Sequence, residues 1–121
     1  MCPQEAGVYF FEDDRTNIQI TGELLKRAGH RVIGAAHSLE TGLEAIPHLN
    51  EMGVQVALVD GKLSKNAIDV YDGETITAAI HAQCPGVFVI GYSSDHDIPG
   101  ADVNCRKTEP IGKLVEAITN A

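Results

Sequence analysis

Four stretches of this sequence end in groups able to do chemistry. The run Val8-Tyr9-Phe10-Phe11 stops at Glu12-Asp13-Asp14, the run Val54 to Val59 stops at Asp60, and Val87-Phe88-Val89-Ile90 leads to Tyr92-Ser93-Ser94. Lys107 follows the short stretch Val103 to Arg106. If these runs are neighbouring strands of one sheet, their ends converge and several carboxylates share a crevice. Carboxylates so placed repel unless they are protonated or bridged by a cation. Hard oxygen donors, with no His or Cys among them, select Mg2+ or a similar ion that takes few protein ligands and keeps positions open for a phosphate. A carboxylate beside such an ion, with a hydroxyl and an ammonium nearby, suits phosphoryl transfer onto the carboxylate itself.

Periodicity predicts the elements that must deliver these groups. From Asn17 to Ala28 the apolar Ile20, Leu24, Leu25 and Ala28 recur at helical spacing, and Gly29 supplies the stop. Arg31 to Ala35 reads as a strand. Ser38 is a helix N-cap for Leu39, Leu43, Ile46 and Leu49 on one face, with Pro47 kinking or shortening that helix. A helix over Gly73 to Gln83 precedes the fourth strand, and a last helix begins near Pro110 with Ile111, Leu114, Val115 and Ile118. This alternation predicts an α/β fold, a doubly wound five-stranded parallel sheet covered by helices on both faces. Ligands of such sheets bind beyond the carboxyl ends of the strands, where the acids, Ser93 and Lys107 fall.

The 121 residues fit a single domain, 1–121. Seventeen acidic against nine basic residues give a net charge of −8, which disfavours direct binding to DNA or RNA. No apolar run approaches the roughly 20 residues that span a bilayer, and the start lacks the charged and apolar regions of a signal peptide, so a cytoplasmic, non-membrane protein is expected. Cys2, Cys84 and Cys105 show no metal or redox spacing and read as reduced thiols. His96, between Asp95 and Asp97, reads as part of a solvated loop.

In their order, Phe10-Phe11-Glu12-Asp13-Asp14, Leu58-Val59-Asp60, Val89-Ile90-Gly91-Tyr92-Ser93 and the late Lys107 resemble the receiver domain of two-component response regulators, over nearly the whole chain. The resemblance implies a flavodoxin-like fold with Asp60 as phosphoacceptor. It implies Mg2+ held by Glu12, Asp13, Asp60 and the backbone carbonyl of Lys62. Ser93 and Lys107 would stabilise the phosphoryl group, with Asp14 and Ser94 as secondary candidates. The implied donor is a histidine kinase or a histidine phosphotransfer protein; the chain would be a phosphoacceptor and not a dedicated enzyme. Asn17, four residues after Asp13, resembles receivers of hybrid kinases and phosphorelays. The downstream partner, and the oligomeric state, are left open by the sequence.

The sequence also departs from the family pattern. Ser64 stands where a proline is usual, the segment from Leu63 to Gly73 is long, Thr108 replaces the proline after the lysine, and Asn104 occupies the aromatic switch position. Only 13 residues separate Ser93 from Lys107, so the fourth helix of the family is expected to be missing or reduced to a loop over 94–101. These departures keep a second reading open, a phosphorylation-independent pseudo-receiver acting as a protein-interaction module. A third, a flavodoxin-like flavin carrier or small nucleotide-binding enzyme, is disfavoured because Glu12-Asp13-Asp14 stands where a phosphate-cradling loop would be needed.

Overall fold

The computed structural model describes residues 5–60, 72–94 and 96–121. Strands β1 (Gly7–Phe11), β2 (Arg31–Ala36), β3 (Val56–Val59), β4 (Phe88–Ser93) and β5 (Val103–Arg106) form one parallel sheet in the order β2-β1-β3-β4-β5. Helices α1 (Arg15–Arg27), α2 (Leu39–Ala45), α3 (Leu49–Met52), α4 (Asp72–Gln83) and α5 (Ile111–Thr119) cover it. Because strand side chains alternate between faces, the sheet builds two cores. Val8, Phe10, Val56, Leu58, Ile90 and Tyr92 pack with Leu25, Leu114 and Ile118 of α1 and α5. Tyr9, Phe11, Ala57, Val59 and Val89 pack on the other face with Ile46, Leu49, Ile76 and Ile80. The doubly wound, flavodoxin-like arrangement expected from the sequence is the observed one.

Local chemistry explains the helix boundaries. Ser38 caps α2 in a capping box with Thr41, satisfying backbone donors at both ends of the exchange. Pro47 turns the continuation into a single 3-10 turn, Ile46–His48, before α3 closes on Gly53 at φ 82°. Two helix faces differ from those the spacing predicts. Ile20 is 58% exposed and Ala28 is exposed, while Thr21, Gly22 and Leu25 are the buried residues of α1. Likewise Leu43 of α2 is exposed and Gly42 is buried. In both helices a glycine marks the contact face: a Cβ on Gly42 would stand 2.8 Å from Ile76 Cδ1 and 3.1 Å from Phe11 Cδ1. At Gly42 this close approach to α4 and the sheet requires a small residue and overrides the larger apolar stripe, whereas a Cβ on Gly22 would stand at an ordinary 3.6 Å from Val32 Cγ2.

The described residues between β4 and β5, 94 and 96–102, contain no helix. They are packed down on the sheet instead. Ile98 is 2% exposed, and its amide donates to Asn104 Oδ1 at 2.8 Å. Asp102 pairs twice with Val89, its amide donating to the Val89 carbonyl at 2.9 Å and its carboxylate accepting from the Val89 amide at 2.8 Å. The His81 ring at the end of α4 meets the Gly100 carbonyl at 2.8 Å. Asn104 and Ile98 occupy space that only glycine leaves free on β4: a Cβ on Gly91 would lie 2.1 Å from Asn104 Oδ1 and 2.7 Å from Ile98 Cγ1. Gly91→Ala is therefore expected to cost about 1–3 kcal/mol by overpacking. Urea denaturation would read the loss, and hydrogen exchange would show faster exchange at the Ile98 amide.

Candidate functional site

Register places the acids. The pairing of Phe11 with Val59 puts the next residue of each strand, Glu12 and Asp60, side by side. The ladder runs one bond beyond the strands, with the Asp60 amide on the Phe11 carbonyl at 2.9 Å and the Glu12 amide on the Ala36 carbonyl at 3.0 Å. One oxygen from each of Glu12, Asp13 and Asp60 lies within 4.8 Å of the others. Phe10, Leu58 and Tyr92 line the crevice with Glu12 and Asp60, so its floor is apolar.

Lys107 completes the cluster from two strands beyond β3. Its amide is held by the Ser93 carbonyl at 2.9 Å, just past the Ser93–Arg106 pair that ends β5. The side chain reaches back across the end of β4, its ammonium 5.9 Å from the centre of the Tyr92 ring. There it pairs with Glu12 Oε1 and lies 3.4 Å from Asp60 Oδ2. Exposure falls along this line, from 20% for the Lys107 side chain and 16% for Asp60 to 4% for Glu12.

The environment sorts the protonation states. Burial, reinforced by the adjacent Asp60 carboxylate, pushes the Glu12 carboxyl from its ordinary 4.5 up to about 8, against the opposing pull of Lys107. Burial disfavours the Lys107 ammonium, but the hydrogen bond and charges of Glu12 and Asp60 outweigh it, and its pKa is raised. Asn17 adds a second donor, its Nδ2 to the same Glu12 Oε1. Glu12 Oε2 is buried with no hydrogen-bond partner among the described residues. A buried carboxylate with one oxygen left in that state, in a residue clustered with two further carboxylates, fits a hard cation.

The other candidates divide. Asp14 is the N-cap of α1, its Oδ1 accepting from the amides of Thr16 at 3.0 Å and Asn17 at 3.2 Å. Those are amides that a bound phosphate would use in a flavin-type site, so the cap works against that reading. Ser93 is buried at the end of β4, its hydroxyl 3.1 Å from His96 Nδ1, and Ser94 beside it is exposed. Lys62, like Leu63 and Ser64, lies outside the described residues. His96, expected in a solvated loop, is instead partly buried against Ser93, and Arg106 donates to its carbonyl at 2.8 Å and pairs with Asp97. The sequence reading missed Thr21, whose hydroxyl donates to Asn17 Oδ1 at 3.3 Å. Its i,i+4 spacing from Asn17 was the available signal.

No protein-family profile matches the chain, and no curated protein matches its sequence. Its similarity is to solved structures. A CheY-like response regulator receiver domain protein from Methanospirillum hungatei JF-1 superposes with a TM-score of 0.77 at 23% identity, covering 95% of this chain and 91% of that one. A response regulator receiver domain protein from Clostridium thermocellum does so with a TM-score of 0.77 at 26% identity, covering 95% and 92%. The BeF3-activated DrrB receiver domain gives 0.71 at 20% identity, covering 96% of each chain. The fold is that of response regulator receiver domains, in agreement with the motif order read from the sequence.

The raised Glu12 pKa sets a sign for pH dependence. Between 4.5 and about 8 the folded state holds a proton on Glu12 that the unfolded chain has released. The stability this group contributes is thus full below 4.5 and is lost as pH rises through about 8. In EDTA, wild type is expected to lose more stability than Glu12→Gln between about pH 5 and pH 8. Denaturation midpoints of both proteins across that range would check it; parallel curves would contradict the assignment.

Proposed function

We propose that the chain is a phosphoacceptor receiver of a two-component system, taking a phosphoryl group onto Asp60 from a histidine kinase or a histidine phosphotransfer protein. The observation that carries this reading is the convergence of Glu12, Asp13 and Asp60 with the Lys107 ammonium at the carboxyl ends of β1, β3 and β5. The donor set fits Mg2+, held by Glu12, Asp13 and Asp60. When bound, the ion supplies charge neutralisation for the phosphoryl oxygens and favours the ionised form of the carboxylates.

The chain's own residues do the rest. An Asp60 carboxylate oxygen attacks phosphorus; the O–P bond forms as the P–N bond of the donor phosphohistidine breaks, and the imidazole nitrogen keeps the electron pair and takes up a proton. Lys107, already at Asp60 Oδ2, offers its ammonium to the added negative charge. Ser93 supplies a hydroxyl from the neighbouring strand end. The phosphoryl group adds a charge of roughly −1.5 to −2, enough to redistribute a two-state equilibrium in the surrounding loops. On this reading the protein is a signalling component that promotes its own phosphorylation and dephosphorylation, not a dedicated enzyme, and it acts in the cytoplasm. Among the described residues no helix is long and apolar enough to cross a membrane.

One observation favours the pseudo-receiver as a second reading. Asn104, at the position where the family carries its switching aromatic, is committed to the Ile98 amide and packed over Gly91. An interaction module needs no moving residue there. Incubation with Mg2+ and a small acyl phosphate, followed by intact mass, separates the two. Wild type is expected to gain one phosphoryl group, and Asp60→Asn or added EDTA to abolish the gain. A folded wild type that gains none with any donor supports the second reading.

A further inference from the structure

We infer that Asn17 is a positioning residue that makes Glu12 a one-oxygen ligand and thereby tunes the acidic pocket for Mg2+ over the larger Ca2+. The inference rests on the reading of that pocket as a divalent cation site. Asn17 is fixed at three points. Its backbone amide is capped by Asp14 at 3.2 Å, its carbonyl oxygen Oδ1 accepts from the Thr21 hydroxyl one turn along at 3.3 Å, and its Nδ2 donates to Glu12 Oε1. The Glu12 bond decides which end of the amide faces the acid, because only the NH2 end can donate to a carboxylate, and the Thr21 hydroxyl then donates to the Oδ1 that is left.

Lys107 uses the same Glu12 oxygen. Two donors on Oε1 leave Oε2 as the oxygen without a hydrogen-bond partner among the described residues. A carboxylate pinned in this way cannot turn both oxygens to one ion without giving up a hydrogen bond. Mg2+ requires near-octahedral geometry with short, single-oxygen ligands; Ca2+ takes more oxygens and often both from one carboxylate. Holding Oε1 therefore costs Ca2+ more than Mg2+.

Isothermal titration of the full chain with MgCl2 and, separately, CaCl2 tests this, with thermal unfolding as the control for folding. Wild type is expected to bind Mg2+ more tightly than Ca2+. Asn17→Ala should weaken Mg2+ binding by about tenfold or more, with a smaller change for Ca2+, so that the ratio of the two affinities narrows. Thr21→Val, which leaves both donors to Glu12 present but releases the amide, should move the ratio the same way by a smaller factor. If Asn17→Ala does not fold, the ratio measured for Thr21→Val decides. An unchanged ratio overturns the inference, and so does equal weakening of both ions, the signature of a pocket merely loosened. A wild type that binds neither ion defeats the cation-site reading itself, which distinguishes that failure from the failure of Asn17 alone.

Discussion

Parallel pairing of β1 with β3 forces two carboxylates together in a crevice with an apolar floor, and the surrounding structure answers that repulsion. The answer comes from far away in sequence. Lys107 is carried by β5, on the opposite side of β4 from β3, so its four-carbon stem must cross the end of β4. A compact ammonium on a flexible stem suits this better than a guanidinium, whose planar fork favours a single bidentate partner. The ammonium spreads instead over Glu12 and Asp60. Even so, the compensation is partial, and burial leaves Glu12 favouring its proton up to about pH 8.

The β4–β5 connection has to deliver that lysine in register without the helix that usually makes a parallel crossover. Side-chain hydrogen bonds replace the packing a helix would have supplied. Asp102 fixes the entry to β5 against Val89, and Asn104 holds Ile98 over Gly91. Farther on, Arg106 grips the His96 carbonyl and Asp97. The described residues of the loop are therefore a cover on one sheet face, held by polar side chains. Ser93, at the seam between cover and crevice, touches both: its carbonyl holds the Lys107 amide and its hydroxyl meets His96.

Most of this arrangement was legible in the sequence, for a physical reason. Strand ends in a parallel sheet converge by topology, so acids after Phe11 and Val59 had to meet once both runs were recognised as strands. Ser38 and Pro47 speak through local chemistry, and the short β4–β5 connection through its chain length: its described residues contain no helix, as expected. The buried face of α1 is legible only in part, with Leu25 buried as expected but Thr21 and Gly22 in place of Ile20; in α2 hydrophobic spacing does not report the close approach that makes Gly42, not Leu43, the contact. His96 and Thr21 were missed for a related reason. Each acts through a side-chain hydrogen bond whose partner is fixed only after the elements have packed.

Within the cluster, one atom separates a functional site from an ordinary ion pair. A structural pair of this burial would match one acid to one base and satisfy the remaining oxygens, because an orphaned buried acceptor costs about 1–3 kcal/mol. Here three carboxylates cluster, one ammonium pairs with two of them, and Glu12 Oε2 is left without a hydrogen bond among the described residues. Stability alone would be better served by an apolar residue at position 12, which the apolar floor could receive. Proteins break local rules of this kind where a site needs the unsatisfied group for something that arrives from outside. The chemistry of what would satisfy it follows from the donors present, three hard carboxylates: a small, hard, doubly charged cation.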